Sequence, residues 1–343
     1  MKKPVGIIGA GSFGTAIAKI LSHNVDVYMY SRKEATVKQI NEQHQNMGIP
    51  LQKNIRGIHD IEKLAAECDV IFPIVPSSAF RSAIQLLSPF IKPYHMIIHG
   101  TKGLDVTGYK MDELDKNLSR SHVHTMSEII IQETSALRVG CLSGPNLAKE
   151  ILENKPTATV IASRFDEVIK AGENMLNTDT FHVFGTNDTL GAEFAGAFKN
   201  TIAIGSGILT GLDMGKNLQA ILITRGLREM IFLAKALGAD IATFFGTAGI
   251  GDLVATTTST NSRNFSFGKR IGLGEKASAV LDTSAELAEG YRTAAIMHFL
   301  AQHYKIRLPI IRMIYSIIYE DFDPEKAIRF LIKYPYAVDV DFL

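Results

Sequence analysis

The stretch GIIGAGSFGTAIA, from Gly6 to Ala18, decides the fold. It carries G-x-G-x-x-G as Gly9, Gly11 and Gly14, with the β-rich run Pro4–Gly9 before it and an apolar helical pattern after it. That context turns a weak motif into a dinucleotide fingerprint. Gly9 permits a tight turn, Gly11 lets backbone approach a pyrophosphate, and Gly14 lets helix pack on strand. The helix start then offers unpaired N–H groups and a positive dipole end to phosphate. A secretory signal would also begin with lysines and an apolar run, but three glycines weaken any helix there.

Working outward, short β-rich runs alternate with helical patterns through the first half. The expected strands are Pro4–Gly9, Val25–Tyr30, Val70–Val75, His95–Gly100, Arg138–Gly144 and Thr157–Ser163, with one more near Phe181. This alternation predicts a parallel sheet wrapped by helices, a Rossmann-like α/β domain over residues 1–187. From about Asn187 the strand signals stop. Helical patterns follow over Leu190–Leu212, Leu218–Leu237 and Ala285–Tyr304, predicting an all-α C-terminal domain over 188–343. The polar tract Ala255–Asn264 reads as a loop between helices. A chain of 343 residues suits two domains.

The second strand ends at Tyr30-Ser31-Arg32-Lys33, where a strictly NAD-using fold places an acidic residue for the ribose hydroxyls. Arg32 could instead pair with a 2′-phosphate, so the reading favours NADP(H), or both NADP(H) and NAD(H). Gly211–Asn217 imitates a P-loop, but its glycine spacing is one short and no Ser or Thr follows the lysine.

Net charge +1, without long single-sign runs, gives no electrostatic case for nucleic acid or an anionic membrane. No segment offers about 18 uninterrupted apolar residues for a membrane span. Cys68 and Cys141 sit in apolar segments without C-x-x-C spacing, as buried thiols of a reducing cytoplasm do. No metal is assigned.

Within the helical half, GAEFAGAFKNTIAIGSGILTGL (Gly191–Leu212) reads as an interior helix interrupted by Lys199. Ala192, Gly196 and Ala203 share its face and leave room beside the amine. Glu193, the only other charge between Leu190 and Leu212, lies off that face, so Lys199 has no local ion-pair partner. Burial of an unpaired amine loosens its proton, a route to a general acid/base. A distant carboxylate or a snorkelling side chain is the alternative. Lys102 follows a strand's carboxyl end, where open α/β sheets bind ligands. Gly144, Pro145 and Asn146 do the same before a short helix. Gly246–Gly251 makes a glycine-flexed turn leading to Asp252, a helix-cap candidate, and Arg263 between Ser262 and Asn264 suits a phosphate clamp.

With these motifs in order, the sequence resembles the soluble bacterial NAD(P)-dependent glycerol-3-phosphate dehydrogenases over nearly its whole length. The likeness rests on GAGSFGTAIA, KGLD, LSGPNLAKE, GAFKNTIAIGSGILTGL, NLQAILITRGLREM, GIGDLVAT, NSRN and AEGYRT. It implies reversible reduction of dihydroxyacetone phosphate to sn-glycerol 3-phosphate, feeding phospholipid synthesis. By motif, Lys199 would be the general acid/base, and Lys102 would touch cofactor and substrate and polarise the carbonyl. Gly144, Asn146, Asp252, Ser262, Arg263 and Asn264 would contact substrate. Gly9, Gly11, Ser12, Phe13, Gly14, Arg32, Lys102, Ala148, Arg263, Leu287 and Glu289 would bind the dinucleotide. Many relatives read S-G-P-S-F-A where this chain has Asn146 and Leu147, and Leu287 stands where valine is commoner. Asn46–Gly57 keeps only Pro50 of a relative's N-x-x-Y-L-P stretch and receives no role.

The rival class is the β-hydroxyacid and 6-phosphogluconate-type dehydrogenases, which would show a carboxylate-binding constellation rather than a phosphate loop. A silent nucleotide-binding relative would lack the lysine or the anion loop. Apolar patterning in the helical half allows a homodimer.

Overall fold

The structure, a computed structural model, describes residues 3–284 and 288–332. Contacts divide the chain into two compact units, Met1–Asp105 with Thr125–Glu193, and Val106–His124 with Phe194–Leu343. The segment 106–124, placed in the first domain by the sequence reading, groups with the second unit.

The first unit is built on an eight-stranded sheet. Its strands are β1 (Val5–Ile8), β2 (Val27–Tyr30), β5 (Ile55–Ile58), β6 (Val70–Pro73), β7 (Met96–His99), β10 (Arg138–Ser143), β11 (Thr157–Ser163) and β12 (Phe181–Thr186). Two-residue strands β3 (Gln45–Asn46) and β4 (Ile49–Pro50), and β8 (Asp105–Val106) and β9 (Val123–His124), pair separately. The spatial order is β12-β11-β10-β7-β6-β1-β2-β5. Every neighbouring pair is parallel except β10 and β11. The expectation of an all-parallel sheet fails at that pair. Only the five-residue helix α6 (Ala148–Leu152) lies between β10 and β11, and the chain turns back on itself instead of crossing over.

Alternate strand residues feed two cores. Ile7, Met29, Phe72 and Ile98 join α1 (Ser12–Leu21) and α7 (Asp166–Leu176) in one cluster. Ile8, Tyr30, Ile71 and Ile97 join α3 (Ile61–Glu67), α4 (Ser77–Leu87) and α5 (Met126–Glu133) in the other. A period of two with both faces apolar is what a sheet covered on each side by helices requires. Helix α2 (Glu34–Gln43) connects β2 to the β3–β4 hairpin.

The second unit is mostly helical. After α8 (Thr189–Gly211), which the unit boundary interrupts at Glu193, come α9 (Gly215–Ala236), α10 (Asp252–Thr258), α11 (Arg263–Gly272) and α12 (Ala277–Thr283). Then follow α13 (Glu289–His303), α14 (Pro309–Tyr319) and α15 (Pro324–Ile332). The polar tract 255–264 is not one loop. Ala255–Thr258 close α10 and Arg263 opens α11, because Thr257 and Thr258 hydroxyls bond back to carbonyls of their own helix. Helix α13 starts at Glu289, later than expected, and Leu287 lies outside the described residues.

Among the described residues, no helix is long and apolar enough to cross a membrane. Nor does any group of three or more His, Cys, Asp or Glu among them form a metal site. Cys68 and Cys141 are buried and free.

Candidate active site

In the first unit, the fingerprint is formed by main chain. Gly9 has φ +124°, and a Cβ there would lie 2.1 Å from the Ile74 carbonyl oxygen. A Cβ on Gly14 would lie 2.0 Å from the Gly9 carbonyl oxygen. At Gly11, by contrast, a Cβ meets nothing within 4 Å. The two closed positions set the turn and the open one leaves an approach to the backbone. No side chain caps α1, whose first residues are Ser12 and Phe13, so its amide end suits a pyrophosphate. These residues therefore fit a dinucleotide. Just past β2, Arg32 and Lys33 are exposed, and the first acidic residue, Glu34, comes only as α2 begins.

Sequence reasoning missed Asn46. Its buried amide donates to the Ala10 carbonyl at 2.9 Å and to the Thr15 hydroxyl at 2.8 Å, pinning the fingerprint loop from a segment given no role. A polar residue ending a two-residue strand leaves no periodic signal to find.

Also in this unit, Lys102 Nζ donates to the Gly144 carbonyl at 2.5 Å. Gly144 has φ +120°, and the Asn146 amide N–H bonds the same carbonyl at 2.8 Å. The Asn146 side chain donates to Thr159 Oγ1 at 2.9 Å, leaving its buried Oδ1 without a protein partner. The structure thus gathers Lys102, Gly144 and Asn146 around one carbonyl. Asp105, three residues after Lys102, is held by Arg81 at 2.8 Å, which fixes the end of that loop. Ala148 opens α6 and packs against the core. Glu193 is also paired: it accepts from His99 Nε2 and from the Ser127 amide, both at 2.9 Å.

The second unit gives Lys199 a partner that the local sequence did not show. The residue is 4% exposed, and its ammonium donates to the Asp252 carboxylate and, at 2.7 Å, to Thr256 Oγ1. This overturns the expectation of an unpaired amine. A buried cation needs a countercharge, and a residue 53 positions away supplies it. Asp252 is not a helix cap. It is the first residue of α10, following a single π-helical turn, Thr247–Gly251, and is 1% exposed. Thr256, one turn later on α10, also bonds Asp252 at 3.3 Å and was likewise missed.

Next to Lys199, the Asn200 carboxamide accepts from Asn264 at 3.0 Å, and Asn264 accepts the Gly290 amide N–H at 2.8 Å. Asn264 therefore ties α8 to the start of α13. Ser262 caps α11 by accepting the Phe265 amide N–H at 3.3 Å. Arg263 is the exposed first residue of α11, and partly buried Glu289 is the first of α13. Helix α11 can lie directly on α8 because Gly268 meets the Ile204 carbonyl, where a Cβ would sit 2.0 Å away. The arrangement within this unit is a buried lysine held by a carboxylate and a hydroxyl, with an amide cluster at the next residue and an exposed arginine at the start of α11.

Two family models cover almost all of the chain. The N-terminal model of NAD-dependent glycerol-3-phosphate dehydrogenase matches residues 4–169, and the C-terminal model matches 188–329. The chain belongs to the NAD-dependent glycerol-3-phosphate dehydrogenase family. A glycerol-3-phosphate dehydrogenase [NAD(P)+] of Teredinibacter turnerae is 36% identical, covering 98% of this chain and 96% of its own. One from Pseudomonas savastanoi is 35% identical over 100% and 97%. A crystal structure of the Coxiella burnetii glycerol-3-phosphate dehydrogenase superposes with a TM-score of 0.86 at 32% identity, covering 97% of this chain and 99% of the other. A ketopantoate reductase from Ralstonia eutropha, TM-score 0.59 and 14% identical, shares the fold alone. The protein is thus an NAD(P)-dependent oxidoreductase of this family, and the β-hydroxyacid and 6-phosphogluconate reading is set aside.

Proposed function

We propose that this enzyme interconverts dihydroxyacetone phosphate and sn-glycerol 3-phosphate with Lys199 as its proton donor and acceptor. The supporting observation is the buried Lys199 ammonium, aimed by Asp252 and Thr256. The bound dinucleotide supplies hydride for reduction and takes it up for oxidation. In reduction, Lys199 Nζ delivers a proton to the carbonyl oxygen as that oxygen gains negative charge, and in oxidation it removes the hydroxyl proton. Asp252 orients the amine and stabilises its charged form, the state that starts reduction and ends oxidation, and Thr256 restricts the direction of its N–H bonds.

Lys102 polarises the carbonyl and touches the dinucleotide. Gly144 and Asn146 bind substrate, and the partnerless Oδ1 of Asn146 is available to a substrate hydroxyl. Ser262, Arg263 and Asn264 form the phosphate end, with Arg263 making the bidentate contact and also reaching the dinucleotide. Ser12, Phe13, Ala148, Leu287 and Glu289 complete the dinucleotide site with the fingerprint glycines, and Arg32 selects the 2′-phosphate of NADP(H). Residues 1–187 act as the dinucleotide domain and 188–343 as the substrate domain. The enzyme works in the cytoplasm, as a homodimer, away from membranes and nucleic acid. There it provides the glycerol phosphate backbone for phospholipids.

The test is a spectrophotometric panel with NADH and NADPH against dihydroxyacetone phosphate and 3-keto acids. Turnover confined to dihydroxyacetone phosphate supports the reading. Turnover with a keto acid alone overturns it.

A further inference from the structure

Helix α13, the turn after it and α14 line a cavity of about 320 Å³, and the same turn, α14 and α15 line an adjoining one of about 750 Å³. Both lie in the range of small-molecule pockets. They share Arg307, Leu308 and Arg312. None of the site residues assigned above lines either one.

The smaller is cationic, with Lys305 and Arg307 beside Arg312. Arg312 contacts Glu320 at 2.8 Å, whereas Lys305 and Arg307 have no carboxylate within ion-pair distance among the described residues. Lys305 also sits at φ +54°, just after the end of α13, where the backbone favours glycine. A long cation is thus held at a position that disfavours it. His298 adds no charge. Its Nε2 accepts from Gln302 at 2.8 Å, and burial with the nearby Arg312 pushes its pKa down to about 4. The larger cavity continues from the same two arginines over Pro309, Met313, Phe322 and Ala327, with Ser316, Lys326 and the Arg312 partner Glu320 also in its lining.

Lys305 and Arg307, without a carboxylate partner among the described residues, at one end, and Pro309, Met313, Phe322 and Ala327 at the other, match a ligand with an anionic head and one aliphatic chain. We propose that the two cavities form a second ligand site for a single-chain lipid phosphate, its phosphate on Lys305, Arg307 and Arg312 and its chain over Met313 and Phe322. The choice of an acylated glycerol phosphate among such lipids rests on the dehydrogenase reading, since that is the acylated form of the reaction's product. Helix α13 connects this site to the proposed active site, because its first turn carries the Gly290 amide bonded to Asn264.

The experiment is calorimetric titration of the full chain, without substrate or dinucleotide, using 1-decanoyl-glycerol 3-phosphate below its micelle concentration. Glycerol 3-phosphate and monodecanoylglycerol serve as head-only and chain-only probes. The intact lipid phosphate should bind at least tenfold more tightly than either half. Shortening or lengthening its chain should change affinity by up to about fourfold per methylene. Lys305→Glu with Arg307→Glu, both exposed positions, should weaken binding at least tenfold, and Arg307→Lys should largely keep it. Lys199→Ala, once shown to be folded by circular dichroism, should bind like the wild type. Equal binding by the double variant, equal binding of monodecanoylglycerol, or loss in Lys199→Ala would each overturn the proposal. So would binding that appears only after removal of residues 333–343. Wild-type turnover, measured separately, keeps failure of this site distinct from failure of the catalytic reading.

Discussion

The dinucleotide fingerprint and the Lys199 centre solve opposite problems. The first suits an anion through main chain, from glycines within six residues of each other, two closed to any side chain and one open. The second handles a buried cation with side chains that the sequence holds 53 and 57 positions from it. Local chemistry writes itself into a motif. Chemistry assembled by folding leaves only one half visible, here an isolated lysine in an apolar helix.

The sharpest way to break this comparison is Lys199→Ala. We expect kcat for dihydroxyacetone phosphate reduction to fall roughly 10²–10⁴-fold, the range for general acid–base groups, with NADPH binding essentially unchanged. Steady-state kinetics and an NADPH titration check both parts. Asp252→Asn should next destabilise the fold by about 3–5 kcal/mol in denaturant unfolding, because the buried ammonium loses its countercharge. Joining Lys199→Met to Asp252→Leu should recover much of that stability but no turnover. If Asp252→Asn were as stable as the wild type, the ion pair would not be holding the site together.

On the nucleotide side, Arg32→Ser should lower kcat/KM for NADPH by about 1.5–3 kcal/mol and leave NADH nearly untouched. Equal losses with both cofactors would take Arg32 out of 2′-phosphate recognition. The two glycines separate fold from function. Gly14→Ala places a methyl 2.0 Å from a carbonyl and should cost about 1–3 kcal/mol of stability. Gly11→Ala should change stability by under about 0.5 kcal/mol yet weaken NADPH binding, which thermal melts with and without cofactor would show.

Glu229 supplies the smallest and most local test. This buried carboxyl accepts the Ile310 and Ile311 amides at the start of α14, with backbone donors where Lys199 has an ion-pair partner. Burial pushes its pKa up to about 8. The folded state therefore holds a proton that the unfolded state has released between pH 4.5 and 8. That contribution is complete at low pH and is lost as pH rises through 8, with a slope of at most about 1.4 kcal/mol per pH unit. Glu229→Gln should flatten the slope in pH-resolved denaturation. An unchanged slope would place its origin elsewhere.

Much of the architecture was legible. Strands β1, β2, β6, β7, β10, β11 and β12 announce themselves by β-rich apolar runs that feed two cores. The missed strand β5 is an edge strand with Gly57 and exposed Arg56, so only Ile55 is fully buried. The turn-back between β10 and β11 depends on where the chain goes after Gly144, which apolar patterning does not encode. In the second unit, the threonines of 255–258 look like a loop because their hydroxyls compete with backbone, yet those hydroxyls bond within α10. Lys199 was visible as an anomaly. Asp252 and Thr256 were invisible as its partners because only the packing of α10 against α8 makes them so.

The account stands on the Lys199 amine as the group that moves the substrate's proton. The most direct test is chemical rescue of Lys199→Ala by small primary amines, following dihydroxyacetone phosphate reduction with saturating NADPH. Turnover should rise with amine concentration and vary with amine basicity, since the cavity left beside Asp252 admits a surrogate ammonium. A folded, NADPH-binding variant that no amine restores, or one that retains near-normal turnover without any, would contradict it.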